Sequence, residues 1–174
     1  MRREQLEHLI RASAHIADDE DIVVVGSQAV LGGHPDAPSS LLTSVDADVY
    51  PRTHPERADV IDGAIGEGSP FHATFGYYAH GVGPETAKAP AGWEERLVAV
   101  SGPGTAGATG WCLEAHDLVI SKCVAGRTKD WEFAREALRH GLVDRRELRG
   151  RVERLPGNEQ QRAAVERGLE ALAM

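Results

Sequence analysis

The sequence predicts an α/β (α+β) fold, a mixed β-sheet flanked by helices, with a C-terminal helical extension. Short β-branched runs such as IVVV and RLVAVS lie between segments of helical spacing in the first two-thirds of the chain. The last third holds helical spacing alone. The order is helix, strand, helix, strand, helix, two or three strands, then helices, which is not the regular alternation of a doubly wound sheet.

Residues 3–17 set Leu6, Leu9, Ile10, Ser13, Ile16 and Ala17 on one stripe, the pattern of an amphipathic helix. The acidic run Asp18-Asp19-Glu20-Asp21 breaks it. Ile22 to Val25 is a β-branched run and reads as a buried strand. Gly26-Ser27 turns the chain, and Gln28 opens a short helix that reaches Leu31. GGHPDAPSS (32–40) is a loop by composition. Residues 42–50 form a second strand with Asp46 and Asp48 on one face and Val45, Ala47 and Val49 on the other, stopped by Pro51. Residues 54–65 read as a helix with Val60, Ile61 and Ile65 as its apolar positions, ended by Gly66-Glu67-Gly68-Ser69-Pro70. The segment 71–80 contains a strand around 73–78, and a Gly/Pro-rich connection leads to Trp93. RLVAVS (96–101) is a strand and 102–110 a flexible turn. A helix follows from 113 or 114 to Ala125, where Gly126 interrupts it. Three more helices cover 130–140, 144–155 with an Asp144 cap, and 158–173.

A chain of 174 residues fits one domain, here a core over 1–112 with a helical part over 113–174 packed on it. The formal net charge of −8 is uneven: residues 1–120 sum to −11 and residues 121–174 to +3. That balance does not support a strongly basic nucleic-acid-binding domain. No apolar run approaches the roughly 18 residues of a membrane span, and the charged N-terminus lacks the apolar stretch of a secretory signal. A soluble, cytoplasmic protein is the expectation, with Cys112 and Cys123 reduced and structural. The eight histidines show no HxxxH or HExxH pair and read as surface or core residues.

Two features carry chemistry. Asp46 and Asp48 stand one residue apart on a strand, so both carboxylates leave the same face. Two like charges side by side are costly unless a cation neutralises them, and such a pair often holds a divalent metal. Gly26-Ser27, between a strand and a helix, offers free backbone amides to an anion. A metal clamp and an anion cradle on neighbouring elements point to a nucleoside triphosphate.

Gly-Ser at a strand–helix turn followed by Asp-x-Asp on the next strand resembles the nucleotidyltransferase fold of the polymerase-beta type. The block EAHDLVISKCVAGRTKDWEFAREAL (114–138) is similar to a helix of small bacterial nucleotidyltransferases related to the abortive-infection AbiE toxins. The resemblance implies transfer of a nucleoside monophosphate from a nucleoside triphosphate to a hydroxyl. Catalysis of that kind rests on positioning and charge neutralisation. Gly26 and Ser27 would grip phosphates, and Asp46 and Asp48 would hold Mg²⁺ (or Mn²⁺). Lys122 would supply a point charge, Arg127 a fork to phosphate oxygens, and Asp130 would orient Lys122 or act as a further carboxylate. The same resemblance implies a toxin of a toxin–antitoxin or phage-defence module, with RNA as acceptor and an antitoxin protein as partner. Two other readings are a small-molecule (aminoglycoside-like) nucleotidyltransferase and a catalytically degenerate binder of nucleotide or partner. The last draws on a departure from the pattern. Many enzymes of this fold carry a third carboxylate on a later strand, and RLVAVS has none; Glu94 and Glu95 precede it and Asp117 and Asp130 follow.

Overall fold

The stripe on residues 3–17 folds as expected in the computed structural model, which describes residues 1–172. Helix α1 (Arg3–Ala17) buries Leu6, Leu9, Ile10, Ser13 and Ala17, the row a 3.6-residue repeat puts on one side. Asp18 ends it in the left-handed conformation (φ 52°). The chain then enters β1 (Asp21–Val25), a 3-10 turn at Ser27–Ala29 and the single turn α2 (Val30–Gly33). Next come β2 (Asp46–Pro51), α3 (Ala58–Ile65), α4 (Pro70–Phe75), β3 (Tyr78–Gly81), β4 (Val98–Val100) and β5 (Thr109–Cys112). Helices α5 (Ala115–Ala125), α6 (Thr128–Arg139), α7 (Arg145–Val152) and α8 (Glu159–Ala171) complete the described chain.

The five strands form one mixed sheet in the order β3-β2-β1-β5-β4. β1 runs antiparallel to β2 and parallel to β5; β2 and β3 are parallel, and β4 and β5 antiparallel. Helices α1 and α3 pack on the sheet. Ile22 and Val24 of β1 belong to the same apolar cluster as Leu9 of α1, Ile61 of α3 and Leu118 of α5. Side chains alternate along β1, so Val23 and Val25 face the opposite way. There they join Tyr50 in a smaller cluster covered by Val82, Ala87, Trp93 and Leu97 of the β3–β4 connection. That second face carries the site.

Several boundaries differ from the sequence reading. The second strand begins at Asp46 rather than 42, and Val45 is exposed. The strand sought around 73–78 is instead α4 followed by β3. Ser69 caps α4 by accepting from the His72 backbone N–H (3.1 Å) and Pro70 opens it, both standard helix starts; Gly76 at φ 76° ends it. The expected turn at 102–110 runs straight into β5, which sits inside the sheet. Its Gly110 reads as a loop residue but is a packing residue, because an added Cβ would stand 2.3 Å from Ile10 Cδ1 of α1. Within 54–65 the helical core positions are Ala58, Ile61 and Ile65, and Val60 faces out. The strand expected at 96–101 shortens to β4, with Arg96 in a preceding 3-10 turn. The helix predicted over 158–173 begins after an Asn158 cap and its last expected residue, Ala173, lies outside the described residues.

Helix α5 is held by a buried ionic network. Asp117, fully buried, accepts from Arg96 Nε (2.7 Å) and lies 3.1 Å from an Arg151 nitrogen. Glu114 caps the helix, takes a hydrogen bond from His116 Nδ1 (2.8 Å) and pairs with Arg151. Burial pushes the Glu114 carboxyl up, but His116 and Arg151 overcome it and hold it down at about 2. The network fixes the angle at which α5 delivers Lys122 to the second face.

Candidate active site

The turn after β1 meets β2 side chain to backbone. Gly26 adopts φ 67°, and a Cβ placed on it would lie 2.0 Å from Asp48 Oδ2. Only glycine meets both demands, a left-handed backbone and a carboxylate resting on its α-carbon. Asp48 is the register partner of Val25 on β1 and of His80 on β3, so it stands on the second face. Asp46, two residues earlier, shares that face, and the Ser44 hydroxyl donates to its carboxylate. His80 Nδ1 lies 2.9 Å from Asp48 Oδ1. Burial pushes the Asp48 carboxyl above its usual range, and the charge of Asp46 adds to this; His80 and Lys122 oppose it.

Across from the aspartates, α5 and α6 supply cations. Gly126, at φ 70°, closes α5, and α6 starts two residues on. The two helices are therefore separate, and the break brings Lys122 of α5 onto Asp130 of α6 (3.4 Å). Asp130 is fully buried and accepts from Arg127 Nε (2.7 Å) and from the Arg127 backbone N–H (3.2 Å). The second bond satisfies an otherwise free donor at the start of α6. Burial pushes the Asp130 carboxyl up, yet Arg127 and Lys122 hold it below the usual carboxylate range. Lys122 is only 11% exposed, lies over the Phe133 ring at 4.8 Å, and has its ammonium pKa lowered by burial. Arg127 keeps 61% of its side chain in solvent.

Between these two walls is an open cleft of about 720 Å³. Gly26, Ser27, Asp46, Asp48, Lys122 and Arg127 all line it. Asp130 does not; it lies behind Lys122 and Arg127 and grips both. Of the two roles the sequence left open for Asp130, its burial favours orienting the cations over acting as a further carboxylate at the cleft. Among the cleft residues that went unmarked in the sequence are His80, Ser44 and Phe133. His80 was hidden by the misplaced third strand, without which its pairing with Asp48 is invisible. Its neighbour Ser44 lies in a stretch read as strand.

Neither later strand, β4 nor β5, carries an acid; β5 lies adjacent to β1. Its residues on the second face are Thr109 and Trp111, the register partners of Asp21 and Val23. The Trp111 indole donates to Asp21 (2.6 Å) and lies under the Arg52 guanidinium. Glu94 and Glu95 are exposed away from the cleft, and Asp117 is locked to Arg96. Among the described residues no three His, Cys, Asp or Glu side chains gather as a metal cage. Asp46 and Asp48 would be the donor set for a cation. Mg²⁺ is commonly held by one or two carboxylates, with waters and substrate phosphates completing its shell, and the pair fits that usage.

Paired carboxylates beside a glycine turn, faced by an anchored lysine and arginine, belong to the nucleotidyltransferase class. Residues 4–164 match a family described as nucleotidyltransferase of unknown function (DUF6036), and the chain belongs to that family. No curated protein and no solved structure matches it. Among the described residues no helix is long and apolar enough to cross a membrane.

Proposed function

We propose that the protein transfers a nucleoside monophosphate from a nucleoside triphosphate to a hydroxyl acceptor, with Mg²⁺ (or Mn²⁺) held by Asp46 and Asp48. The observation that carries this reading is the seating of Asp48 on Gly26, which puts the carboxylate pair and the phosphate turn within one contact of each other. Ser27 and the amides beside it take phosphate oxygens. Lys122 and Arg127 meet the triphosphate from the opposite wall, Lys122 as a compact charge and Arg127 as a planar fork. Asp130 keeps both cations in place. The divalent ion, when bound, neutralises phosphate charge and aligns the triphosphate. In the reaction an acceptor oxygen bonds to the α-phosphorus, the bond to pyrophosphate breaks, and the hydroxyl proton is released.

The test pairs calorimetry with turnover. ATP, CTP, GTP and UTP are titrated with and without Mg²⁺, and labelled nucleotide is then followed into acceptor in total RNA. Asp48→Ala should abolish Mg²⁺-dependent binding and transfer; transfer that survives this change overturns the metal assignment. The resemblance to the AbiE toxins extends the proposal to a toxin acting on RNA and restrained by an antitoxin. Expression of the wild type should then arrest growth, with Asp48→Ala relieving the arrest. Unimpaired growth with the wild type removes the toxin extension and leaves the chemistry standing.

A second reading follows from Trp111. With no acid on β4 or β5, and an indole on the strand beside β1, the protein would bind nucleotide without turning it over. Tight Mg²⁺-dependent binding with no label transferred to any acceptor supports this degenerate binder over the enzyme.

A further inference from the structure

Neither motif of the site accounts for His80. It faces Asp48 across the β2–β3 pairing, so both side chains leave the sheet on one face. An ionised carboxylate only accepts, so His80 Nδ1 carries a proton and donates it to Asp48 Oδ1 over 2.9 Å. The other oxygen, Oδ2, rests on the α-carbon of Gly26. The terminal torsion of an aspartate is broad when nothing holds it. Here one oxygen is tied and the other is seated, so the carboxylate plane is set. Asp46 has its own tether in the Ser44 hydroxyl. Each acid of the pair thus has one dedicated partner, and the partner of Asp48 is a half-exposed ring at the cleft rather than a buried structural group.

We infer that His80 is the positioning residue of the carboxylate pair, fixing Asp48 in the orientation that receives a divalent cation. Outer partners of metal-binding groups act this way, and their loss commonly costs about 10–100-fold in metal affinity. His80 would thereby supply order to a pair with which, among the described residues, no third acid gathers. The inference rests on the metal reading of Asp46 and Asp48 given above.

The experiment titrates Mn²⁺ alone onto the full chain, reads free ion by electron paramagnetic resonance, and records a thermal melt for every variant. Asp48→Ala should lose saturable binding. His80→Ala should weaken Mn²⁺ by about 10–100-fold with the melt nearly unmoved, since the side chain is 54% exposed. His80→Asn, whose amide N–H reproduces the Nδ1 donor, should recover most of that affinity. If His80→Ala binds as tightly as the wild type while Asp48→Ala does not bind, the inference fails and the metal reading survives. If His80→Ala and His80→Asn are equally weak, the ring ligates directly and the positioning role is overturned. A wild type with no saturable Mn²⁺ removes the metal reading and this inference together.

Discussion

Replacing Gly26 with alanine tests the contact on which the site is built. The new Cβ would begin 2.0 Å from Asp48 Oδ2, where real Cβ contacts essentially never fall below 3.0 Å, so the carboxylate must retreat by at least 1 Å. Its other oxygen is tethered to His80 at 2.9 Å, so the retreat breaks or bends that bond. Alanine also carries the cost of φ 67°, about 1–2 kcal/mol for an L-residue in the left-handed region. The expected stability loss is therefore about 2 kcal/mol, a fall in Tm of about 4–8 °C for a chain of this size. The functional loss is larger, because a misplacement of about 1 Å in a positioned group costs on the order of 100-fold in rate. Thermal melting and nucleotide-transfer kinetics measure the two parts. The double variant Gly26→Ala/Asp48→Ala separates them further: with the carboxylate gone the clash disappears, and the melt should recover all but the backbone cost. A Gly26→Ala protein that binds Mg²⁺–triphosphate and transfers nucleotide within threefold of the wild type would refute the reasoning.

Two further outcomes follow from the buried charges. Asp130→Asn keeps the shape of the side chain but leaves Lys122, only 11% exposed, without its counter-charge. Breaking a buried pair costs about 3–5 kcal/mol, and the low end applies because Arg127 can turn to water; a melt within 1 °C of the wild type would contradict it. Glu114, whose carboxyl is held at about 2 against an ordinary 4.5, contributes about 3 kcal/mol by linkage. Because its folded pKa is depressed, that stability is present above about pH 4.5 and disappears as pH falls toward 2. Glu114→Gln should therefore melt well below the wild type at pH 7, with the gap closing through that window; a gap that stays constant from pH 7 to pH 2 would show that the Glu114 charge adds nothing.

What could be read in the sequence, and what could not, follows from the range of each interaction. The stripe of α1, the β-branched run of β1 and the Asp144 cap are local, and their residues state them directly. So does the alternation that sets Asp46 and Asp48 on one face. β5 escaped because its glycine answers to Ile10, one hundred residues away in the chain; a loop-like composition there encodes a close helix–sheet approach. β3 was displaced because Ser69-Pro70 starts a helix in a segment whose aromatic content favours a strand. The displacement hid His80, whose role exists only in the register of two strands. The opposite wall shows the same division: Lys122, Arg127 and Asp130 were marked by the resemblance of the 114–138 block. The Gly126 break was legible too, but that Asp130 lies behind the other two depends on how α6 packs against α5, which no local pattern states.

The position of Asp130 also bears on why the cleft is open. Two carboxylates on the sheet and two cations on the helices face one another, and Lys122 and Asp48 already feel each other's charge. Left without a nearer partner, the flexible lysine would swing to the aspartates, neutralise them and fill the space a nucleotide needs. Asp130, at 3.4 Å from Lys122 Nζ, gives that charge a partner on its own wall, and the Phe133 face beneath it adds a second hold. Arg127 is likewise drawn back by two contacts to the same carboxylate. The aspartate pair therefore keeps its two charges side by side; burial first, and the Asp46 charge after it, raise the Asp48 carboxyl, and that cost is what a divalent cation would relieve. On this view the buried acid on α6 and the half-buried pair on β2 form one device, in which anchoring the cations preserves the demand for a metal.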